Sequence, residues 1–89
     1  MKIYKYKFDI VSEQTIIIHR THKFLKAGLD PQGNRCVWFA VNTDSVPIHY
    51  KLYVVPTGGE IPHDAHRHLE SFNEDFYVWH LFSCSGDTI

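Results

Sequence analysis

Residues 24–42 read FLKAGL-DPQGN-RCVWFAVN, and this stretch decides the fold. Its last part is apolar on both faces of a strand, with Val37, Phe39 and Val41 on one face and Cys36, Trp38 and Ala40 on the other. That pattern is typical of the centre of a sheet, so 35–42 is predicted to be the central strand. The segment 30–34 places Pro and Gly where a β-turn needs them. Together they predict a hairpin formed by 24–29 and 35–42.

The remaining sequence also predicts strands. Residues 3–10, 48–55 and 76–82 alternate with a period of two, and 15–19 is rich in β-branched isoleucine. Residues 66–72 are ambiguous between a short strand and one helical turn. Six or seven short strands separated by turns predict an all-β fold, either a small antiparallel sandwich or a partly open barrel. We expect residues 1–83 to form one β domain and 84–89 to form a polar C-terminal tail.

Charge is unevenly distributed along the 89 residues. The net charge is −1, so general affinity for duplex nucleic acid is not expected. Residues 1–35 carry seven Lys/Arg and three acids (7 − 3 = +4), whereas 36–89 carry two and seven (2 − 7 = −5). Unlike regions of two copies would attract each other, and the edge strands of a small sandwich need covering. A homo-oligomer is therefore expected.

The cysteine content and the hydropathy pattern indicate the compartment. Only Cys36 and Cys84 are present, too few for the disulfide framework of a secreted domain. No signal-peptide pattern follows Met1, and no apolar run approaches the ~20 residues that a membrane span needs. The expected setting is the cytoplasm, with no membrane contact.

Histidine is the residue type that most suggests a metal. His63, His66 and His68 lie beside Asp64 in the segment HDAHRH, and imidazole and carboxylate groups bind first-row metal ions. Neither an HExxH nor a paired CxxC motif supports this interpretation, so a hydrogen-bonding loop is favoured, with no metal and no cofactor. A GxSxG motif is also absent. The protein is therefore not expected to be an enzyme, and a His-dependent metalloenzyme is kept as a second alternative.

A glycine-containing loop is a candidate anion site. In Thr57-Gly58-Gly59, adjacent glycines allow backbone N–H groups to converge on an anion, and the threonine adds a hydroxyl. This combination suits a phosphate or a carboxylate. An ordinary turn that leaves a strand explains the same residues equally well.

Aromatic and basic residues are interleaved along the chain, a combination that suits a nucleotide because rings stack on bases and cations bind phosphates. The rings predicted to stack are Tyr4, Trp38, Tyr53 and Trp79. The groups predicted to contact phosphate are Arg35, Lys51, Arg67, Thr57, Gly58 and Gly59. The wider set also contains Tyr6, Tyr50, His80, Lys5 and Lys7. Most rings of a small β domain belong to its core, so two or three are expected to reach a ligand.

Four segments carry a family resemblance: IYKY at 3–6, CVW at 36–38, TGGEIP at 57–62 and FYVWHLF at 76–82. In this order they resemble a family of short single-domain proteins encoded by bacteriophages and prophages, with an IYKY-like start, a GTGH-like loop and a FVWHVF-like end. The chain departs from that pattern at Gly59, which replaces the loop histidine, and by its HDAHRH segment and its tail. The resemblance implies a phage accessory protein that acts in the host bacterial cytosol.

Small phage proteins counter host immunity, and one route is to sequester cyclic nucleotide signals without catalysis. The predicted function is therefore non-enzymatic binding and sequestration of a small anionic nucleotide, such as a cyclic dinucleotide, by a homo-oligomer. The alternative is a protein-interaction module that inhibits a host protein through an exposed aromatic face.

Overall fold

Two packed antiparallel sheets form the part of the chain that the computed structural model describes, residues 1–84 without the side chain of His66. Its strands are β1 (Lys2–Lys7), β2 (Glu13–His19), β3 (His22–Leu29), β4 (Arg35–Val41), β5 (Pro47–Pro56), β6 (Ala65–Glu74) and β7 (Tyr77–Cys84). The three-stranded sheet has the order β1-β4-β3, and the four-stranded sheet has the order β2-β5-β7-β6. The predicted all-β antiparallel sandwich is confirmed, and the sheets do not close into a barrel. Residues 85–89 of the predicted tail lie outside the described residues.

The predicted central strand and hairpin are both present. β4 lies between β1 and β3, and its residues Val37, Phe39 and Val41 are fully buried on the core side. The hairpin closes with a hydrogen bond of 2.8 Å from the Asp30 N–H to the Asn34 carbonyl oxygen. Gly33 has a φ of 83°, a left-handed conformation that glycine adopts without steric cost.

The ambiguous segment 66–72 belongs to a strand, β6, which pairs with β7. The pairing register shifts twice, between Ala65 and Arg67 and again between His68 and Glu70. Each bulge inserts an extra residue and interrupts the alternation of side chains between the two faces. The sequence therefore lacks a clear period of two at this position, although the segment is a strand.

Phe39 is the ring that joins the two sheets. Its ring centroid lies 5.6 Å from that of Tyr50 on β5, in an edge-to-face contact across the sandwich. Within its own sheet Phe39 makes similar contacts with Tyr6 at 6.0 Å and Phe24 at 5.7 Å. Edge-to-face pairs add about 0.5–1.5 kcal/mol each beyond the burial of their area. The rings of Phe39, Tyr50, Tyr6 and Phe24 thus belong to the core or pack against it.

Two glutamates of β6 tie the four-stranded sheet to the three-stranded one. Glu70 accepts a hydrogen bond from the backbone N–H of Ala27 at 2.7 Å. Glu74 accepts two hydrogen bonds from the Arg35 guanidinium, one from Nε at 2.7 Å and one from Nη2 at 2.5 Å. These bonds from the guanidinium hold the pKa of the Glu74 carboxyl below its usual range. The two sheets are therefore linked by polar groups along the side where β3 and β4 meet β6.

We expect Glu74→Gln to lower the free energy of unfolding by about 2 kcal/mol, because Arg35 loses a charged, bidentate partner. Urea denaturation followed by circular dichroism near neutral pH measures the change. Asp44→Asn, which removes a carboxylate from an exposed turn, is the control and should stay within about 0.5 kcal/mol of the wild type. Equal stability of the two variants would contradict the assigned role of the Arg35–Glu74 pair.

Candidate functional site

The outer face of the three-stranded sheet carries a tryptophan among lysines. In the strand register, Lys5 of β1 lies opposite Trp38 on one side, and Lys26 of β3 lies opposite it on the other. We call this surface the lysine face and define it by Lys5, Lys7, Lys23, Lys26 and Trp38. Because the neighbouring β4 residues Val37 and Phe39 point into the core, Trp38 points away from it.

Lys7 and Lys23 complete the lysine face at positions diagonal to Trp38 on the two neighbouring strands. Lys7 lies opposite Cys36 and Lys23 lies opposite Ala40, one position on either side of Trp38 along the same face of β4. Lys23 and Lys26 are three residues apart, a spacing that would place them on opposite faces of a regular strand. A bulge between Phe24 and Lys26 restores Lys26 to the outer face. The four lysines therefore form two pairs that face each other across Trp38.

The charge imbalance seen in the sequence is concentrated in this sheet. Its three strands contain six Lys/Arg residues and no Asp or Glu. The four strands of the other sheet contain two Lys/Arg and three Glu. The lysine face is therefore a local basic surface on a chain whose net charge is −1.

A buried carboxylate positions one of the lysines. The side chain of Asp30 is 1% exposed, and its Oδ2 accepts a hydrogen bond from Lys5 Nζ at 2.8 Å. Its Oδ1 accepts from the backbone N–H groups of Gln32 at 3.0 Å and Asn34 at 2.8 Å. The bonds from Lys5 and Asn34 hold the pKa of Asp30 well below its usual range, and the bond to Asp30 raises the pKa of Lys5. Lys5 is thus kept charged and in place at the edge of the lysine face.

Lys26 interacts with the central ring. Its Nζ lies 5.7 Å from the centroid of Trp38, within the range of a cation–π contact. The contact places a cation over the face of the Trp38 ring.

A second concave site lies on the outer face of the four-stranded sheet, under the loop 57–64. Tyr53 and Val55 point outward from β5, yet they are only 2% and 6% exposed because the loop covers them. The Tyr53 hydroxyl donates to Asp64 Oδ2 at 2.7 Å, and burial together with this bond raises the pKa of Tyr53. The loop leaves a pocket of about 260 Å³, lined by Val55, Pro56, Thr57, Gly58, Gly59, Ile61, His80 and Phe82.

A chain of hydroxyl and imidazole groups borders this pocket. Thr57 Oγ1 lies 2.9 Å from His80 Nε2, and His80 Nδ1 lies 2.6 Å from Ser71 Oγ. Ser71 Oγ lies 2.9 Å from His68 Nε2. Three hydrogen bonds therefore connect the pocket rim to β6. Pairing of β7 with β5 brings His80 beside Thr57, and pairing of β7 with β6 brings His80 opposite Ser71.

The predicted anion site at Thr57-Gly58-Gly59 is a β-turn. The Gly59 N–H donates to the Pro56 carbonyl at 2.9 Å, and the Thr57 N–H donates to the Val78 carbonyl at 3.2 Å. Gly58 has a φ of 89°, which together with the bond from Gly59 to Pro56 identifies a type II turn. Two of the three backbone donors are therefore already used within the protein. Of the two interpretations of this loop, the turn is the one that the hydrogen bonds support.

Several predicted ligand contacts are engaged elsewhere in the fold. Arg35 binds Glu74 and also donates from Nη1 to the Phe8 carbonyl at 3.2 Å. Tyr53 is covered by the loop, and Trp79 packs against the core from the inner face of β7. These three residues are therefore not presented to a ligand on the lysine face.

The other predicted residues are spread over the surface. Lys51 lies 3.7 Å from Glu13 and 6.0 Å from the ring of Tyr53, on the four-stranded sheet. Arg67 is exposed on β6, where it pairs with Ser83. Tyr4 lines a groove at the opposite edge of the sandwich. The structure thus brings together Thr57, Gly58 and Gly59 at the pocket, and only Trp38 lies on the lysine face.

The histidine-rich segment does not form a metal centre in the described part of the chain. Within residues 1–84, no group of three or more His, Cys, Asp or Glu side chains could hold a metal ion. The side chain of His66 lies outside this description. The same residues contain no helix that is long and apolar enough to cross a membrane.

Residues 1–88 match the family described as "Domain of unknown function (DUF7352)", and the chain belongs to that family. No curated protein and no solved structure gives a significant match to the chain.

Asp30 should make the folded protein sensitive to acid. Because folding lowers its pKa, its stabilising contribution is complete above the ordinary carboxyl pKa of about 4 and is lost as the pH falls below that value. We expect the Tm, followed by circular dichroism, to fall steeply below about pH 4. Asp30→Asn should have a lower Tm near neutral pH and a weaker dependence on acid. Parallel curves for the variant and the wild type would contradict this role.

Proposed function

We propose that the protein binds and sequesters a small anionic nucleotide on the lysine face, without converting it chemically. The observation that carries this proposal is the row formed by Lys5, Trp38 and Lys26, in which a central ring is flanked by a cation on each neighbouring strand. A nucleotide offers a flat base for the ring and phosphates for the cations, so its two parts match the two kinds of group in this row.

The base would stack on Trp38 and displace the ammonium of Lys26. That ammonium lies 5.7 Å from the ring centroid, so a stacked base would occupy the same position. Stacking of a base on an aromatic side chain contributes about 1–3 kcal/mol. Lys26 remains beside the stacked base and gains a phosphate as its new partner.

The arrangement of the lysines favours a ligand with two phosphates. Lys5 and Lys26 lie on strands separated by β4, so their Cα atoms are about 10 Å apart. Because Lys5 is already paired with Asp30, Lys7 on the same strand is the second cation on that side, and Lys23 lies on the opposite diagonal. A ligand with one phosphate can engage the lysines of one strand only, whereas a cyclic dinucleotide has two phosphates and can engage the lysines of both strands. The proposed ligand is therefore a cyclic dinucleotide.

The composition of the sheet supports binding without catalysis. Its strands contain no carboxylate, and their one imidazole, His22, lies on the core side, with its ring 4.7 Å from that of Tyr50 and 5.4 Å from that of Phe39. Imidazole and carboxylate are the groups that most often act as general acids and bases, and such a group must lie within hydrogen-bond reach of the reacting atoms. The counter-defence role is part of this proposal, and its support is the resemblance to phage-encoded proteins.

One observation favours the alternative, a protein-interaction module. Phe76 at the tip of the β6–β7 hairpin is 100% exposed, and Tyr77 and Val78 beside it are also exposed. A cluster of exposed apolar side chains is typical of contact surfaces between proteins. The hairpin tip and the lysine face are on different elements, so Phe76→Ser should leave nucleotide affinity unchanged.

The nucleotide proposal is tested by titration with cyclic di-AMP, with AMP for comparison. In the Trp79→Phe variant, Trp38 is the only tryptophan, and its fluorescence should be quenched on binding. By calorimetry, Trp38→Ala should weaken binding by at least about fivefold, which corresponds to the loss of one stacked base. Lys23→Ala and Lys26→Ala should each weaken it by about tenfold, and affinity should fall as salt is added.

Lys2→Ala is the matched control, because Lys2 is an exposed lysine of β1 that pairs with Val41, whose side chain is on the core side. It should bind cyclic di-AMP as the wild type does. If Lys2→Ala loses as much affinity as Lys23→Ala and Lys26→Ala, the dinucleotide is attracted by the general positive charge and not by a site centred on Trp38. Absence of binding by the wild type would refute the proposal.

The expected homo-oligomer remains a prediction. β1 and β2 are edge strands of their sheets, and Ile17 of β2 is exposed beside the groove that Tyr4 lines. We expect a light-scattering mass well above 10.4 kDa at about 100 μM, a concentration far above that of typical micromolar dimers. A monomeric mass under those conditions would contradict it.

A further inference from the structure

We propose that the pocket under the loop 57–64 is a second binding site, for a small carbonyl compound that carries one ring or branched alkyl group. We further propose that the hydrogen-bonded chain Thr57–His80–Ser71–His68 transmits its occupancy to β6. The pocket lies on the four-stranded sheet, whereas the lysine face lies on the other sheet. This inference therefore does not depend on the proposed nucleotide site.

The pocket is fixed by hydrogen bonds at both ends of the loop. At the beginning, the Thr57 N–H donates to the Val78 carbonyl. At the end, the Tyr53 hydroxyl donates to Asp64, and the Ala65 N–H donates to the Pro62 carbonyl at 2.9 Å. Bonds at both ends hold the loop across the sheet, so the cavity exists before a ligand enters. A preformed cavity saves the ordering cost that a flexible loop would add to binding.

Size and lining define the body of the ligand. The volume of about 260 Å³ lies just below the range of about 300–1,000 Å³ that is typical of sites for drug-sized molecules. Val55, Ile61 and Phe82 give the pocket apolar walls. A single ring or a branched alkyl group fits such walls, whereas a whole nucleotide is too large.

The Thr57 hydroxyl defines the polar end of the ligand. Its oxygen lies 3.2 Å from the Val78 carbonyl oxygen, a long distance for a bond whose usual length is about 2.7–2.8 Å. A ligand carbonyl at the usual distance would be a better acceptor for this proton. The hydroxyl would then donate to the ligand while it accepts from His80 Nε2, 2.9 Å away. The ligand therefore needs an acceptor oxygen beside its apolar body.

Binding of that acceptor would set the proton order along the chain. A neutral imidazole donates through one nitrogen and accepts through the other. When His80 Nε2 donates to Thr57, His80 Nδ1 must accept from Ser71, and Ser71 must then accept from His68 Nε2. Without the ligand, the Thr57 hydroxyl has two acceptors for its one proton, the Val78 carbonyl at 3.2 Å and His80 Nε2 at 2.9 Å. Whenever it donates to the nearer His80, the order along the chain is reversed. The tautomer of His68, which does not line the pocket, would thus depend on occupancy.

Benzamide is the probe, because it carries a ring and a carbonyl oxygen but no charge that would attract it to the lysine face. In a nuclear magnetic resonance titration we expect a Kd of about 1 mM, as befits so small a ligand. Methyl signals of Val55 and Ile61 and imidazole nitrogen signals of His80 and His68 should shift. The signals of His49, which lies on the β5 segment paired with β2 and does not line the pocket, should not. Toluene has the ring without the acceptor and is also uncharged, and it should bind at least about tenfold more weakly.

Two substitutions separate binding from transmission. Thr57→Val removes the hydroxyl at nearly constant shape and should weaken benzamide binding at least about tenfold, whereas Thr15→Val on the exposed part of β2 should not. Ser71→Ala should leave the Val55 and Ile61 shifts intact and abolish the response of His68. Trp38→Ala should change neither the affinity for benzamide nor the response of His68. Failure of the pocket proposal is therefore distinguishable from failure of the nucleotide proposal.

Three results would overturn the inference. The first is an absence of shifts at Val55 and Ile61 in the wild type, which would mean that the pocket does not bind the probe. The second is toluene binding as tightly as benzamide, which would remove the role of the carbonyl. The third is a His68 response that persists in Ser71→Ala, which would mean that the chain does not transmit occupancy.

Discussion

The buried carboxylate of Asp30 is the group on which the three-stranded sheet depends. Asp30 follows β3 directly and accepts hydrogen bonds from the N–H groups of the turn that leads to β4. It also accepts a hydrogen bond from the ammonium of Lys5 on β1. A buried charge is tolerated only when its hydrogen-bonding capacity is filled, so these donors must all be present together. One side chain therefore couples the hairpin to the edge strand. The same coupling fixes the position of Lys5 beside Trp38.

The sandwich separates two surfaces of different chemistry. The core rings, with Phe39 and Tyr50 in contact across the interface, occupy the inner faces of both sheets. The three-stranded sheet presents cations around a tryptophan, and the four-stranded sheet presents a pocket bordered by hydroxyl and imidazole groups. In such a thin domain, the two outer faces lie back to back. A chain of 89 residues thus presents two separate surfaces of different chemistry.

The fold was predictable from the sequence because most strands alternate cleanly and the central one is apolar on both faces. The sequence left one segment undecided between strand and helical turn, residues 66–72. This segment lies in β6, where bulges shift the register at two places and interrupt the period of two. The same effect hid part of the lysine face. Lys23 and Lys26 are three residues apart, and strict alternation would separate them, whereas the bulge at Leu25 puts them on one face.

The candidate site was less predictable than the fold, because residue type does not reveal a partner that is distant in sequence. Arg35 has the chemistry of a phosphate ligand, but Glu74, 39 residues later, takes its guanidinium. Tyr53 points outward from its sheet, as a ring that stacks on a ligand would, but the loop that ends at Asp64 covers it. Trp38 was identified as one of several rings interleaved with basic residues along the chain. Its lysine neighbours come from strands whose order the sequence does not give.

The most direct test of the nucleotide site is a crystal structure of the protein with cyclic di-AMP. The lysine face predicts one base stacked on the ring of Trp38, Lys26 moved from the ring to a phosphate, and the second phosphate on the Lys5 side. Density for the dinucleotide on the four-stranded sheet, with Lys26 still over Trp38, would contradict it.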